Sequence, residues 1–131
     1  MSLFEECKNA LSADFYIIEG VACKDVMNIL NRYPLSNGYM DWSKIEYKDY
    51  ESVNELLISN VIRNDDVFVF ADDSSIPIFR TKLKLIAENI YDVIALSPKL
   101  FIFNNEVILQ PLFPTDGIRL AVLDIDSINE E

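Results

Sequence analysis

Two periodicities alternate along the chain. Leu3, Phe4, Cys7, Ala10 and Leu11 recur every three to four positions, which predicts an amphipathic helix over 2–12. Phe15-Tyr16-Ile17-Ile18 is a short apolar run, expected as a strand that Gly20 ends. Val26, Met27, Ile29, Leu30 and Tyr33 restore the helical spacing over about 23–33, and Pro34 stops it. Ser36-Asn37-Gly38 signals a turn. Residues 43–48 alternate, with Ile45 and Tyr47 inward and Lys44, Glu46 and Lys48 outward, the mark of a half-exposed strand. Val53, Leu56, Leu57, Val61 and Ile62 predict a helix over 51–63, whose N-terminal half carries Glu51 and Glu55 where the helix dipole favours negative charge.

Asn64-Asp65-Asp66 forms a turn before Val67-Phe68-Val69-Phe70-Ala71, an unbroken apolar run expected as a central strand buried on both faces. Asp72-Asp73-Ser74-Ser75 is a second turn. Phe79, Leu83, Ile86, Ile90 and Val93 then predict a helix over 78–92, and 93–96 is either its end or a short strand. Past the break at Pro98 come a strand from Leu100 to Phe103, the connection Asn104-Asn105-Glu106 and a return strand from Val107 to Gln110. A turn at Pro114-Thr115-Asp116-Gly117 leads to a last strand, Ile118 to Leu123, and a polar tail expected to fray from about 127. About four helices crowd the first two-thirds, and sequential strands fill the last third. The expected fold is a single α+β domain over 1–131, with a mixed or antiparallel sheet ending in a three-stranded meander. A doubly wound parallel sheet is the weaker option, because no Gly-rich phosphate loop follows any strand.

Composition narrows the chemistry. The 131 residues are 50% apolar, enough for a real core and against disorder. Eleven Lys and Arg face 22 Asp and Glu, a net charge of −11, and there is no His. His-based triads, HExxH zinc sites and imidazole acid–base chemistry are therefore excluded. Nucleic acid is not an expected partner, because phosphate contacts need clustered cations and Arg80-Thr81-Lys82-Leu83-Lys84 is the only basic cluster. Cys7 and Cys23 match no zinc spacing and are expected as small buried hydrophobes, with a single disulfide or a reactive thiol as the alternatives. Residues 1–6 lack the basic and apolar regions of a secretory signal, and no apolar run approaches a membrane span, so the expectation is a soluble cytoplasmic protein.

Candidate metal and nucleophile motifs are thin. Asp65-Asp66 and Asp72-Asp73 flank one strand at opposite ends, roughly 17 Å apart, too far to share an ion. They are solvated turn acids or part of a partner-facing patch. Asp124-Ile125-Asp126 resembles a DxD metal motif of a kind common by chance, and Ser74 and Ser75 have no base at a recognisable spacing. No metal, cofactor or catalytic residue is assigned.

Segment 39–51 holds the only Trp and three of the six Tyr among carboxylates. Trp42 and Tyr47 are either core residues with a polar tip or interface residues, since Trp and Tyr dominate binding hot spots. From 41 to 76 nine carboxylates face three cations, a local charge of −6, so over half of the net charge sits in little more than a quarter of the chain. The candidate partner-binding residues are Tyr39, Asp41, Trp42, Glu46, Asp49, Tyr50, Asp65, Asp66, Asp72 and Asp73. Such a surface steers toward a basic partner.

The length, the acidic balance, the short strand Val67–Ala71 followed by Asp72-Asp73, and the Asn-rich hairpin from Leu100 to Leu109 resemble the immunity proteins of bacterial contact-dependent growth inhibition. The resemblance is of general type over the whole chain, and no residue role is carried over from it. It implies a protein that is not an enzyme. It implies binding to the C-terminal toxin domain of a secreted effector, in many cases a nuclease whose basic cleft an acidic partner would block sterically and electrostatically. The alternative class is a type III secretion chaperone, also small and acidic, which would hold an extended effector segment.

Overall fold

The computed structural model describes residues 2–123. The expected frayed tail and Asp124-Ile125-Asp126 lie outside the described residues. Helices α1 (Leu3–Ala10), α2 (Val21–Leu30), α3 (Val53–Ile58), α4 (Leu83–Glu88) and α5 (Ile90–Ile94) alternate with strands β1 (Phe15–Ile17), β2 (Leu35–Ser36), β3 (Tyr39–Met40), β4 (Tyr47–Tyr50), β5 (Asp66–Ala71), β6 (Phe79–Lys82), β7 (Leu100–Phe103), β8 (Val107–Pro111) and β9 (Ile118–Val122). The fold is α+β, as expected. Seven strands form one sheet in the order β1-β6-β5-β7-β8-β9-β4, every pairing in it antiparallel. The meander β7-β8-β9 is as anticipated, while β2 and β3 form a separate hairpin. Among the described residues no helix is long and apolar enough to cross a membrane.

Alternation sorts the strand side chains onto two faces. Val67, Val69, Phe79, Leu100, Ile102, Leu109, Ile118 and Leu120 pack with Cys7, Leu11, Val53, Leu56, Leu83, Ile86 and Val93, so α1, α3, α4 and α5 form one layer. Phe101, Phe103, Ile108 and Ala121 meet Val26, Leu30, Tyr33 and Met40 on the other face, covered by α2 and the β2–β3 hairpin. All four residues of β7, the middle strand, are buried, whereas Phe68 and Phe70 of β5 stay half-buried. Thus β7 is the strand most fully enclosed by both layers. Cys7 and Cys23 are free, and burial, with Asp92 nearby as a smaller cause, pushes the Cys7 thiol up to about 12, the signature of an inert packing residue.

Three expectations are corrected. The helix over 78–92 is a strand followed by two short helices. Phe79 and Leu83 lie four apart and mimic helical spacing, but Phe79-Arg80-Thr81-Lys82 alternates buried and half-buried and pairs with both β1 and β5. Its Thr81 hydroxyl donates to the Asp14 carbonyl, and Asn89 leaves helical geometry (φ −131°) between α4 and α5. The strand expected at 43–48 begins only at Tyr47. Asp41 accepts from the Ser43 backbone and hydroxyl and nucleates a 3-10 turn over Trp42–Lys44, and the inward residue of β4 is Tyr50 rather than Tyr47. The third helix is shorter than 51–63. Ser52 caps its start, and Asn60 at φ 59° turns the chain away two residues after its end.

One buried side chain ties the sheet together. Asn104, 2% exposed, donates to the carbonyls of Asn64 (3.0 Å) and Asp66 (3.1 Å), and its side-chain oxygen accepts from the N–H groups of Glu106 (2.8 Å) and Val107 (2.9 Å). Its backbone carbonyl accepts from the buried Tyr33 hydroxyl at 2.8 Å, which holds the end of the α2 segment on the opposite layer. Replacing Asn104 with Ala unpairs the buried N–H of Val107 and three half-buried groups, and a buried polar group left unsatisfied costs about 1–3 kcal/mol. We expect Asn104→Ala to lose about 3 kcal/mol in urea unfolding; a loss below about 0.5 kcal/mol contradicts this role.

Candidate functional site

The two-residue turn Asn37-Gly38 begins the site. Both residues sit at positive φ (55° and 80°), as the tight turn between β2 and β3 requires, and Leu35 pairs with Met40 and Ser36 with Tyr39. A Cβ on Gly38 would lie 2.9 Å from the Lys99 ammonium, so glycine also gives the room that lysine needs. Lys99 lies 3.7 Å from the Tyr39 ring centroid and 3.5 Å from a carboxylate oxygen of Asp72. Tyr39, 63% exposed, and Asp72 are thus joined through a cation that arrives from the loop before β7. Asp73 is engaged locally: its carboxylate accepts from the Ser75 hydroxyl and N–H, which hold it below the usual carboxylate range.

The hairpin continues into a second group. Trp42 is half-buried, and its indole N–H donates to Gln110 on β8 at 3.1 Å. Its ring meets Tyr47 edge-on at 5.5 Å. The Arg119 guanidinium lies 4.1 Å from the Tyr47 centroid and 5.4 Å from that of Trp42, and it grips Asp49 through two hydrogen bonds of 2.7 and 3.0 Å. Strand register explains the meeting, because Asp49 is the cross-strand partner of Arg119. The choice between core and interface for the two aromatics resolves into a rim. Trp42 seals the edge of the apolar layer, and Tyr47 leaves about half its surface open. Asp41 caps the turn beneath them and pairs with Lys44 at 3.7 Å, while Glu46 is exposed between the turn and β4.

Structure therefore gathers Tyr39 and Asp72 about Lys99, and Trp42 and Asp49 about Arg119, two groups connected along the chain by the hairpin; Asp41 and Glu46 lie beside the second, on a margin of the hairpin, β4 and β9. It does not bring in the remaining candidates. Tyr50 is 7% exposed and packs in the helical layer. Asp65 and Asp66 stand at the other end of β5, where Asp66 binds Lys82 (2.7 Å) and Arg80 (2.9 Å). Lys99, Gln110 and Arg119 organise the margin and were not among the sequence candidates. No local pattern marks them, since Arg119 is 70 positions from Asp49 and Gln110 is 68 from Trp42. Among the described residues no three His, Cys, Asp or Glu side chains are grouped to hold a metal ion.

Hydrogen bonding and charge from Arg119 hold the Asp49 carboxyl below the usual carboxylate range. A lowered folded pKa means that the pair stabilises at pH values above the ordinary range and loses that contribution as pH falls through the Asp49 pKa. In an NMR carboxyl titration, Asp49 should have a midpoint below those of exposed carboxylates, and Arg119→Gln should return it to their range. An unchanged midpoint would show that the pair does not set the charge at this margin.

No curated protein matches the chain. At the level of families, the description CdiI immunity protein, EcoliA0-like, matches residues 1–121. The match spans both layers and every strand but the last residue of β9, and the chain belongs to this family of toxin-neutralising immunity proteins.

Proposed function

We propose that the protein neutralises its toxin by occupying a basic cleft on the C-terminal domain of a secreted effector, that this toxin is a nuclease, and that the block is steric and electrostatic, without turnover. The cytoplasm of the producing cell is where such protection is needed. Nucleic acid, repelled by the same charge, is the toxin's ligand and not this protein's.

The observation that supports this reading is the charge left after the fold makes its own ion pairs. Among the described residues Lys44, Arg80, Lys82, Lys99 and Arg119 pair with Asp14, Asp41, Asp49, Asp66 and Asp72, five cations with five carboxylates. These pairs consume both signs equally, so the surplus of −11 rests on other residues. Glu51 and Glu55 at the start of α3 and Asp73 in the turn after β5 carry part of it, and Glu46 carries part at the margin beside the hairpin. Exposed Tyr39 and Tyr47 there supply rigid aromatic area of the kind that anchors interfaces. Asp65 extends the field without sharing the margin, whereas Asp66 is spent on Lys82 and Arg80. Nothing in the fold favours the secretion-chaperone alternative, and the family match is to immunity proteins.

Co-expression tests the reading. The C-terminal domain of the effector encoded beside this protein should arrest growth alone and permit it in the presence of this chain. Association of the purified pair should slow on the order of tenfold between low and high salt. Arrest without rescue would refute the pairing, and a salt-independent association rate would refute steering.

A further inference from the structure

Strand β4 closes one side of the sheet. Its inner side is laddered to β9, and among the described residues no strand and no other backbone hydrogen bond meets the backbone of Tyr47–Asp49. Free N–H and C=O groups along an edge are a template for another strand, and proteins guard such edges with projecting charges. Here both charges of the strand are turned back onto their own sheet. Asp49 is held by Arg119, and the Lys48 ammonium lies 5.2 Å from the Tyr50 ring centroid.

The flanks of this edge are apolar and open. Helix α3 ends at Ile58, so the helical layer stops short of this corner and leaves Val61 44% exposed. Val61, Tyr47 and the 52% exposed Val122 share a hollow of about 280 Å³ with Glu46, Lys48 and Leu120. Glu46 and Glu51 bracket the strand, and neither takes part in an ion pair among the described residues. The other sheet edge differs: β1 has three residues, and Arg80 lies 4.6 Å from the ring centroid of its Tyr16.

We propose that the toxin docks by adding an extended segment to β4 as an eighth strand, with an apolar side chain in the hollow beside Val61 and Val122 and basic residues toward Glu46 and Glu51. The proposal rests on the immunity reading above and names the surface that performs it. Main-chain bonds supply affinity in this mode, and the alternate side chains supply specificity. A second copy of this chain is the rival occupant, but it would bring two bodies of charge −11 together, whereas a basic segment is attracted.

Hydrogen–deuterium exchange on the purified toxin complex reads the edge directly. Amides within 45–51 should exchange at least tenfold more slowly on binding, with those of Phe15–Ile17 unchanged. Val61→Asp, and separately Glu46→Lys with Glu51→Lys, should each weaken toxin binding at least tenfold at an unchanged melting temperature. Should one variant melt early, the other and the exchange data decide. Rescue and tight binding with unaltered exchange in 45–51 would overturn the docking mode while leaving the immunity reading standing. Failure of the wild-type chain to bind or rescue would remove the immunity reading and this inference with it. Protection of 45–51 in the free protein that rises with concentration would assign the edge to a second copy instead.

Discussion

The fold turns on the capacity of one buried amide to satisfy groups from three directions. Asn104 sits where β5 enters the sheet, where β7 turns into β8, and where the α2 segment ends above them. A hydrophobic side chain there would leave the half-buried carbonyls of Asn64 and Asp66 and two hairpin N–H groups, that of Val107 buried, without these partners. An Asn meets all four with one planar group. Burial also lifts the Tyr33 hydroxyl well above its ordinary pKa, so it stays a neutral donor to the Asn104 carbonyl at any physiological pH. The tightness of this knot fixes β5 against β7, and their register sets which residues of the sheet face each layer.

With the register fixed, charge at the margin follows. Because β4 is laddered to β9, Asp49 must meet Arg119, and Arg119 must lie beside Tyr47 and Trp42. Because β2 and β3 fold back over β7, Tyr39 must meet Lys99. Cations that would otherwise dilute an acidic surface are absorbed into aromatic and carboxylate partners. Such pairs on a solvated surface contribute little to stability one by one. Their effect is on shape: they hold the aromatic rims rigid and leave the unpaired glutamates to set the outward field.

The parts of the fold legible in the sequence are those with one dominant cause. Continuous apolar runs at 67–71, 100–103 and 107–109 are strands because no helix could bury all those faces at these lengths, and Asn37-Gly38 turns because little else accepts positive φ. The segments read differently have two causes in competition. At 79–83 helical spacing between Phe79 and Leu83 coincides with strand alternation, and the ladders that decide are to the preceding strand β5 and to β1, over 60 positions away. At 41–48 alternation suggested a strand, but a local bond from Asp41 to Ser43 wins before the ladder can start. The candidate site shows the same division. Its acids and aromatics are visible in a stretch of sequence, whereas Lys99 in the loop before β7, Gln110 on β8 and Arg119 on β9, which decide how those residues point, meet the hairpin and β4 through contacts that no local pattern encodes.

Placing the proposed recognition elements on a hairpin and an edge strand would also separate affinity from folding. The core is closed without them: the buried apolar residues of β5, β7, β8 and β9 lie between the two layers, while Tyr39, Tyr47, Glu46 and Glu51 add nothing to that burial. Substitutions at the margin can therefore change the partner at small cost to stability, the condition under which a protein can follow a changing toxin. The constraint runs the other way at Asp49, Trp42 and Arg119. Each touches both the margin and the sheet, so a change there would alter the proposed docking surface and the packing of β4 together. Diversity between immunity proteins built on this fold should accordingly concentrate on side chains along the rim and spare the residues that anchor it.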